Sequence, residues 1–310
     1  MTGGTPARLA RGYPWALLAL LVLAQICYPL TGGPTRARLT VATVVLGYLL
    51  SVGHALASRG PRTAVTLVAV ATGGGFAIEA LGVATGFPFG SYDYSGQLGP
   101  KLAGVPLIIP LAWTWMAWPA WLVATRLTTG PPIRTPGTGH NGLLGGASAG
   151  RTARPPAGTA ARWRWPGRIA VATVGLAAWD LFLDPQMVAE GHWVWREATP
   201  ALPGLPGVPI SNYLGWLLFA VLVMAALRPL AGPAVAVTDA RDHPMYALYL
   251  WTYGSSVLAH AVFLDLPASA LWGAAGMGVV AVPLAVTLRR SRRARDSATG
   301  TPRTPVDVAA

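Results

Sequence analysis

Eight apolar runs, each long enough to cross a hydrocarbon layer, recur along this chain and mark it as a polytopic, all-α integral membrane protein. They cover residues 14 to 30, 39 to 57, 62 to 84, 102 to 127, 166 to 183, 211 to 228, 244 to 264 and 268 to 288. The composition agrees: 53% of residues are hydrophobic, the mean hydropathy is +0.47 and only 11% are charged. A soluble domain is excluded on these grounds.

Charge gives an independent reading of the same count. With the N-terminus in the cytoplasm, 19 of the 23 basic residues fall on inner segments, and only Arg36, Arg38, Lys101 and Arg196 fall outside. This is the positive-inside bias of an even number of spans in the cell membrane with both ends cytoplasmic. The net charge of +12 is thus a topology signal. Basic residues scattered over loops without interleaved aromatics argue against a nucleic-acid partner.

The organisation that follows is helices 1 to 4 over residues 1–127, a basic cytoplasmic linker over 128–165, helices 5 to 8 over 166–288, and a basic tail over 289–310. Linker and tail have too little apolar content to fold alone and are expected to be disordered. No small-residue cleavage pattern follows Leu30, so the first helix is expected to be retained rather than removed as a secretory signal. The single cysteine, Cys27, lies in it and is expected to be a small buried filler.

A short pattern occurs twice. Gly104-Val105-Pro106 precedes Trp113, and Gly207-Val208-Pro209 precedes Trp216 at the same spacing. Each copy opens an inward-running helix that follows an acid-bearing helix and an aromatic outer loop. Helices 3 and 4 therefore read as a parallel repeat of helices 5 and 6.

Three acids stand out because carboxylates are rare in such segments. Glu79, Asp180 and Asp184 lie in or at the end of apolar runs, and all fall toward the outer leaflet. Desolvation favours the neutral form of a buried acid and so keeps a proton available. Asp180 and Asp184 share a face at i, i+4 if the helix persists that far, although Pro185 is expected to end it. His260 lies at similar depth, whereas His54 sits near the cytoplasmic end. The outer loops carry Tyr92 and Tyr94 in one copy and Trp193 and Trp195 in the other. For any single ring an interfacial aromatic belt is the plain reading; their coincidence with Asn212 and several acids favours a site.

The chain has no metal-ligand spacing, P-loop, dinucleotide-binding turn, nucleophile elbow or Asp-rich magnesium motif. What remains is cofactor-free acid–base chemistry or transport. A neutral carboxylic acid can protonate an isolated double bond, aromatic faces can stabilise the tertiary cation, and water can capture it.

The residues Phe87-Pro88-Phe89-Gly90-x-Tyr92-x-Tyr94, Leu98-Gly99 and Gly104-Val105-Pro106-Leu107-x-Ile109-Pro110-x-x-Trp113 resemble the first signature of the carotenoid biosynthesis membrane proteins of bacteria and archaea. Asp180, Asp184-Pro185, Gly191-x-Trp193-x-Trp195 and Gly207-Val208-Pro209-x-x-Asn212-Tyr213-x-Gly215-Trp216 resemble the second. That family includes the CruF-type carotenoid hydratases and the bisanhydrobacterioruberin hydratases. The resemblance implies a hydratase that adds water to the terminal double bond of an acyclic carotenoid, with no cofactor. It also implies the bilayer as a partner and leaves room for other carotenoid-pathway enzymes. A Pro-rich insert from Ala198 to Pro206 and the long linker depart from the expected pattern without removing a motif residue.

Roles then follow from the residues. Asp180, beside Trp179, is the first candidate for proton donor, and Glu79, expected to be more deeply buried, is the second. Asp184, expected to be more exposed, is a candidate for positioning water, with a structural role as its equal competitor. Tyr92, Tyr94, Trp193 and Trp195 form the candidate cation-facing wall, Trp113 and Trp216 are further substrate contacts, and Asn212 would bind water or the new hydroxyl. A hydrogen bond to a neighbouring helix is the competing role for Asp180 and Glu79. End-group cyclisation and proton-coupled isoprenoid transport are the competing functions. Transport is disfavoured because the inner helix halves contain few polar groups apart from His54.

Overall fold

The computed structural model describes residues 4–129 and 157–299. Its helices are α1 (Gly4–Cys27), α2 (Gly33–Arg59), α3 (Pro61–Leu67), α4 (Gly74–Thr85), α5 (Ile109–Thr128), α6 (Ala157–Ala177), α7 (Asp180–Ala189), α8 (Ile210–Ala231), α9 (His243–Leu258) and α10 (Pro267–Thr299). A π turn, Val68–Gly73, joins α3 to α4, and a second, Ala259–Phe263, closes α9. Four short strands lie in the loops: β1 (Tyr92–Tyr94), β2 (Lys101–Leu102), β3 (Val105–Pro106) and β4 (Trp193–Trp195).

Among the described residues, six helical stretches are long and apolar enough to cross a membrane: 12–30, 33–59, 61–85, 165–189, 210–231 and 267–297. Their outward faces carry large aliphatic side chains such as Leu23, Val65, Leu214 and Leu271, as a lipid-facing surface requires. The chain is a mostly helical, multi-pass membrane protein.

The helix at the centre is not one of those six. α5 packs against α2, α6, α9 and α10, and every residue from Ala112 to Thr125 is buried. Four tryptophans lower its mean hydropathy, and protein surrounds them on all sides. Apolar burial supplies little drive between helices in lipid, so packing and polar satisfaction must hold α5 in place. Three of its indoles find acceptors: Trp113 Nε1 donates to Glu79 at 3.1 Å, Trp118 Nε1 to His54 Nδ1 at 3.0 Å, and Trp121 Nε1 to the Val235 carbonyl at 2.9 Å.

The structure changes several expectations. Helix 4 begins at Ile109 rather than near residue 102, because residues 101 to 106 form a β2–β3 hairpin. Its two-residue turn, Ala103 (φ 49°) and Gly104 (φ 81°), is left-handed at both positions, as a tight hairpin of this hand demands. Pro185 does not end helix 5. The break falls earlier, at Ala178–Trp179, and α7 continues through Pro185 to Ala189. Proline leaves the carbonyl four residues back without its helical donor, and Ser269 Oγ on α10 takes that carbonyl, Leu181 O, at 2.6 Å.

Cys27 is exposed rather than a buried filler. The tail is helical as far as Thr299, since Arg and Ala are strong helix formers and cations suit a helix C-terminus. The last part of the linker is likewise helical from Ala157, where Ala and Arg again predominate. The rest of the linker, 130–156, and the last residues, 300–310, lie outside the described residues.

The two aromatic loops meet. β1 pairs antiparallel with β4 in the register Tyr92↔Trp195, Asp93↔Val194 and Tyr94↔Trp193. This two-strand ribbon closes over the adjoining ends of α4, α7 and α8 and positions the acids beneath it.

Candidate active site

Glu79 stands on α4, 5% exposed, and is an acceptor at both oxygens. Tyr92 Oη and Tyr94 Oη donate to Oε2 at 2.6 and 2.8 Å, and Trp113 Nε1 donates to Oε1. Burial first, and then the neighbouring carboxylate, holds both phenols above their ordinary pKa, so they remain donors. The approach needs a glycine, since a Cβ at Gly82 would lie 2.8 Å from Tyr92 Oη and 2.9 Å from the Phe89 ring.

Asp180 and Asp184 lie one turn apart on α7 and face α8. There Asn212 Nδ2 donates to Asp180 Oδ2 at 2.8 Å and also to Asp184 Oδ2. Asp180 is fully buried and Asp184 is 3% exposed. Asp184 is therefore not the exposed member of the group, and Glu79 is not buried more deeply than Asp180. Continuation of α7 past Pro185 explains the first point: Asp184 stays on the helical face beneath the β1–β4 ribbon. The second oxygen of Asp180, Oδ1, is buried and has no partner, and Tyr213 Oη is also buried without one. Glu79, Asp180 and Asp184 lie within electrostatic reach of one another.

Aromatic rings surround this group. Trp113 and Trp216 stack at 3.8 Å between centroids, Trp179 meets Trp216 edge to face at 6.1 Å, and Trp115 meets Trp179 at 5.2 Å. In the ribbon, Tyr94 packs edge-on against Trp193 at 5.5 Å, and Tyr92 lies tilted against Trp195 at 5.6 Å. Trp195 Nε1 donates to the Phe89 carbonyl at 2.9 Å.

The remaining sequence candidates fall elsewhere. His260 bonds Ser269 at 2.8 Å and Gln186 at 3.1 Å, on another face of α7 from the acids. His54 belongs to a cluster at the opposite end of the bundle. There Arg59 Nη2 donates to both oxygens of Asp242 at 2.8 Å, and the backbone carbonyl of Arg241 lies 3.0 Å from His54 Nε2. Asp93 is exposed and pairs with Arg196, whose hydrogen bonds hold its carboxyl below the ordinary range. Tyr213 is not among the sequence candidates; its place directly after Asn212 in the second motif is the signal that points to it.

The model of the carotenoid biosynthesis protein family matches residues 39–285, which include all three acids and both Gly-Val-Pro motifs. The chain belongs to the carotenoid biosynthesis protein family. Among curated relatives, the bisanhydrobacterioruberin hydratase of Haloarcula japonica is 34% identical over 158 residues. That match covers 51% of this chain and 42% of the relative, so less than half of the relative's length is represented. No solved structure matches this family member.

Proposed function

We propose that this carotenoid-family protein is a cofactor-independent hydratase of the cell membrane, adding water to the terminal double bond of an acyclic carotenoid end. Asn212, which bridges Asp180 and Asp184 while leaving Asp180 Oδ1 unpartnered, is the observation that carries this reading. Two carboxyl groups on one donor in a buried site repel each other when both are ionised, so the pair holds one proton between them. Asp180 Oδ1 gives that proton to the less substituted carbon of the double bond. The tertiary cation left on the neighbouring carbon faces the indole and phenol rings. Water adds its oxygen to the cation and returns a proton to the Asp180–Asp184 pair, so the alkene and one water become one tertiary alcohol and the acid is regenerated.

In this account Glu79 is not the donor. Its three hydrogen-bond donors make it a positioning acceptor that fixes Tyr92, Tyr94 and Trp113 around the reacting end. The name of the Haloarcula japonica relative supports hydration over cyclisation.

Eight spans also belong to this reading, the six long apolar stretches together with α5 and α9, and both termini lie in the cytoplasm. The parallel repeat belongs to it too. The antiparallel pairing of the two aromatic loops and the Trp113–Trp216 stack between the helices that follow them support it. Pigment analysis after co-expression in a lycopene-producing bacterium tests the activity. A product heavier by one water per modified end is expected, whereas a cyclised product of unchanged mass, or unaltered pigment, contradicts it.

A further inference from the structure

A cavity of about 120 Å³ lies between α1, α2, α5, α7 and α9. α7 turns Phe182, Leu183, Gln186 and Met187 toward it, whereas Asp180 and Asp184 face Asn212 on α8, so the space is separate from the acid site. Polar side chains inside a membrane bundle are few and mark function. Here Thr43 on α2, Trp115 on α5 and Thr252 on α9 are each more than nine-tenths buried, and Thr43 Oγ1, Trp115 Nε1 and Thr252 Oγ1 have no hydrogen-bond partner. A buried polar group left unpaired is costly, so three of them on one cavity call for an occupant that hydrogen-bonds. The indole N–H only donates, while a threonine hydroxyl donates or accepts. One hydroxyl on the occupant can accept from Trp115 and donate to a threonine.

The same space opens toward the bilayer. A groove of about 380 Å³ between α1 and α9 shares Gln25, Pro29, Ser255 and Ala259 with it. The groove's lips are the exposed apolar side chains of Ile26, Leu30, Leu258 and Phe263. No charged side chain lines either space among the described residues, so an ionised headgroup has no counter-charge there. An apolar groove that ends in a neutral, hydrogen-bonding pocket matches an amphiphile with a hydrocarbon body and an uncharged hydroxyl. Water, the competing occupant, would fill the pocket alone and leave the groove to lipid.

We propose that cavity and groove form a second binding site, separate from the acids, for a neutral isoprenoid alcohol. Its hydroxyl sits among Thr43, Trp115 and Thr252, and its chain runs out between α1 and α9. Naming the occupant as the hydrated carotenoid end, the product of this chain, rests on the hydratase reading; the alcohol site itself does not.

Ser255 lines both spaces and supplies the probe. Ser255→Cys in a Cys27→Ser background is alkylated by N-ethylmaleimide in detergent with added phytane, or with phytane bearing a tertiary hydroxyl at its isopropyl end. Neither compound has a double bond, so the readout is independent of turnover. The alcohol is expected to slow alkylation about tenfold more than the alkane, the worth of one or two net hydrogen bonds. Thr252→Val is expected to abolish that difference while the protein elutes and melts as the parent does. The comparison of the two compounds on the unsubstituted threonines decides the matter even if that variant fails to fold. Equal protection by alkane and alcohol, protection by neither, or a preference that survives Thr43→Val and Thr252→Val together overturns the site. Preference for the alcohol in a protein that leaves lycopene unhydrated overturns the hydratase reading and leaves the site standing.

Discussion

Trp113 on α5 and Trp216 on α8 stack with ring centroids 3.8 Å apart and planes 24° from parallel. The two rings occupy equivalent places after the two Gly-Val-Pro motifs, and one of them also donates to Glu79. The contact therefore joins the two halves of the site. It accounts for an α5–α8 junction inside the bundle, where apolar burial alone would give little preference for one neighbour over another.

A double-mutant cycle on this pair, with Trp113→Phe and Trp216→Phe, is expected to show a coupling of about 1 kcal/mol, the usual size for an aromatic pair beyond its area. Thermal unfolding in detergent measures it. Additive effects would mean that the stack contributes nothing specific.

Glu79→Gln replaces an acceptor-only group by one that presents an amide N–H₂ to three donors. At least one of Tyr92, Tyr94 and Trp113 then loses its partner, at a cost of about 1–3 kcal/mol. A lower melting temperature and partly retained hydration are expected. Loss of hydration with stability unchanged would assign Glu79 a direct chemical role instead.

Much of this arrangement was legible in the chain. The helical segments, the clustering of the three acids and the pairing of each acid-bearing helix with an aromatic loop follow from hydropathy, charge and spacing. What was hidden depends on partners distant in sequence. Pro185 reads locally as a helix end, and only Ser269 on α10 supplies the donor that lets α7 continue and buries Asp184. The low hydropathy of α5 conceals that its tryptophans are satisfied by Glu79, His54 and the Val235 carbonyl. The helix halves around His54 read as poor in polar groups because Asp242 lies outside the long helices, and folding brings it to Arg59 and beside His54.

That cluster is a latch between α2 and the loop before α9. Asp242 is fully buried and Arg59 is 5% exposed at the side chain. Asp242→Ala leaves a cation without its partner, and breaking a buried pair from one side costs about 3–5 kcal/mol. A markedly lower melting temperature is expected, with the pigment product, where formed, unchanged in mass. A different product would place the latch in the chemistry.

The neighbouring turn is acid-sensitive. Hydrogen bonds from Arg241 pull Asp239 down to about 2. A carboxyl depressed in the folded state stabilises it above the unfolded value, near 4, and this contribution is lost as the pH falls toward 2. Amide hydrogen exchange at Ala240 to Asp242, corrected for intrinsic rates, is expected to lose protection across that window. In Asp239→Asn the dependence disappears; a dependence that persists would exclude Asp239 as its source.

Topology can be tested with thiols in a Cys27→Ser background. Gln97→Cys, on the β1-side loop, is expected to react with a membrane-impermeant maleimide added to intact cells, and Ala234→Cys, between α8 and α9, only after lysis. Both positions are exposed. The reverse pattern would invert the protein in the membrane and move the site to the cytoplasmic leaflet.

The central claim is that Asp180 delivers the proton. Hydration by Asp180→Asn, measured by mass spectrometry of pigment from lycopene-producing cells at matched protein levels, tests it most directly. The amide keeps much of the shape but has no proton to transfer, so the rate is expected to fall by about 10²–10⁴ while the protein remains folded and retains pigment. Hydration at the parent rate in Asp180→Asn would contradict the mechanism.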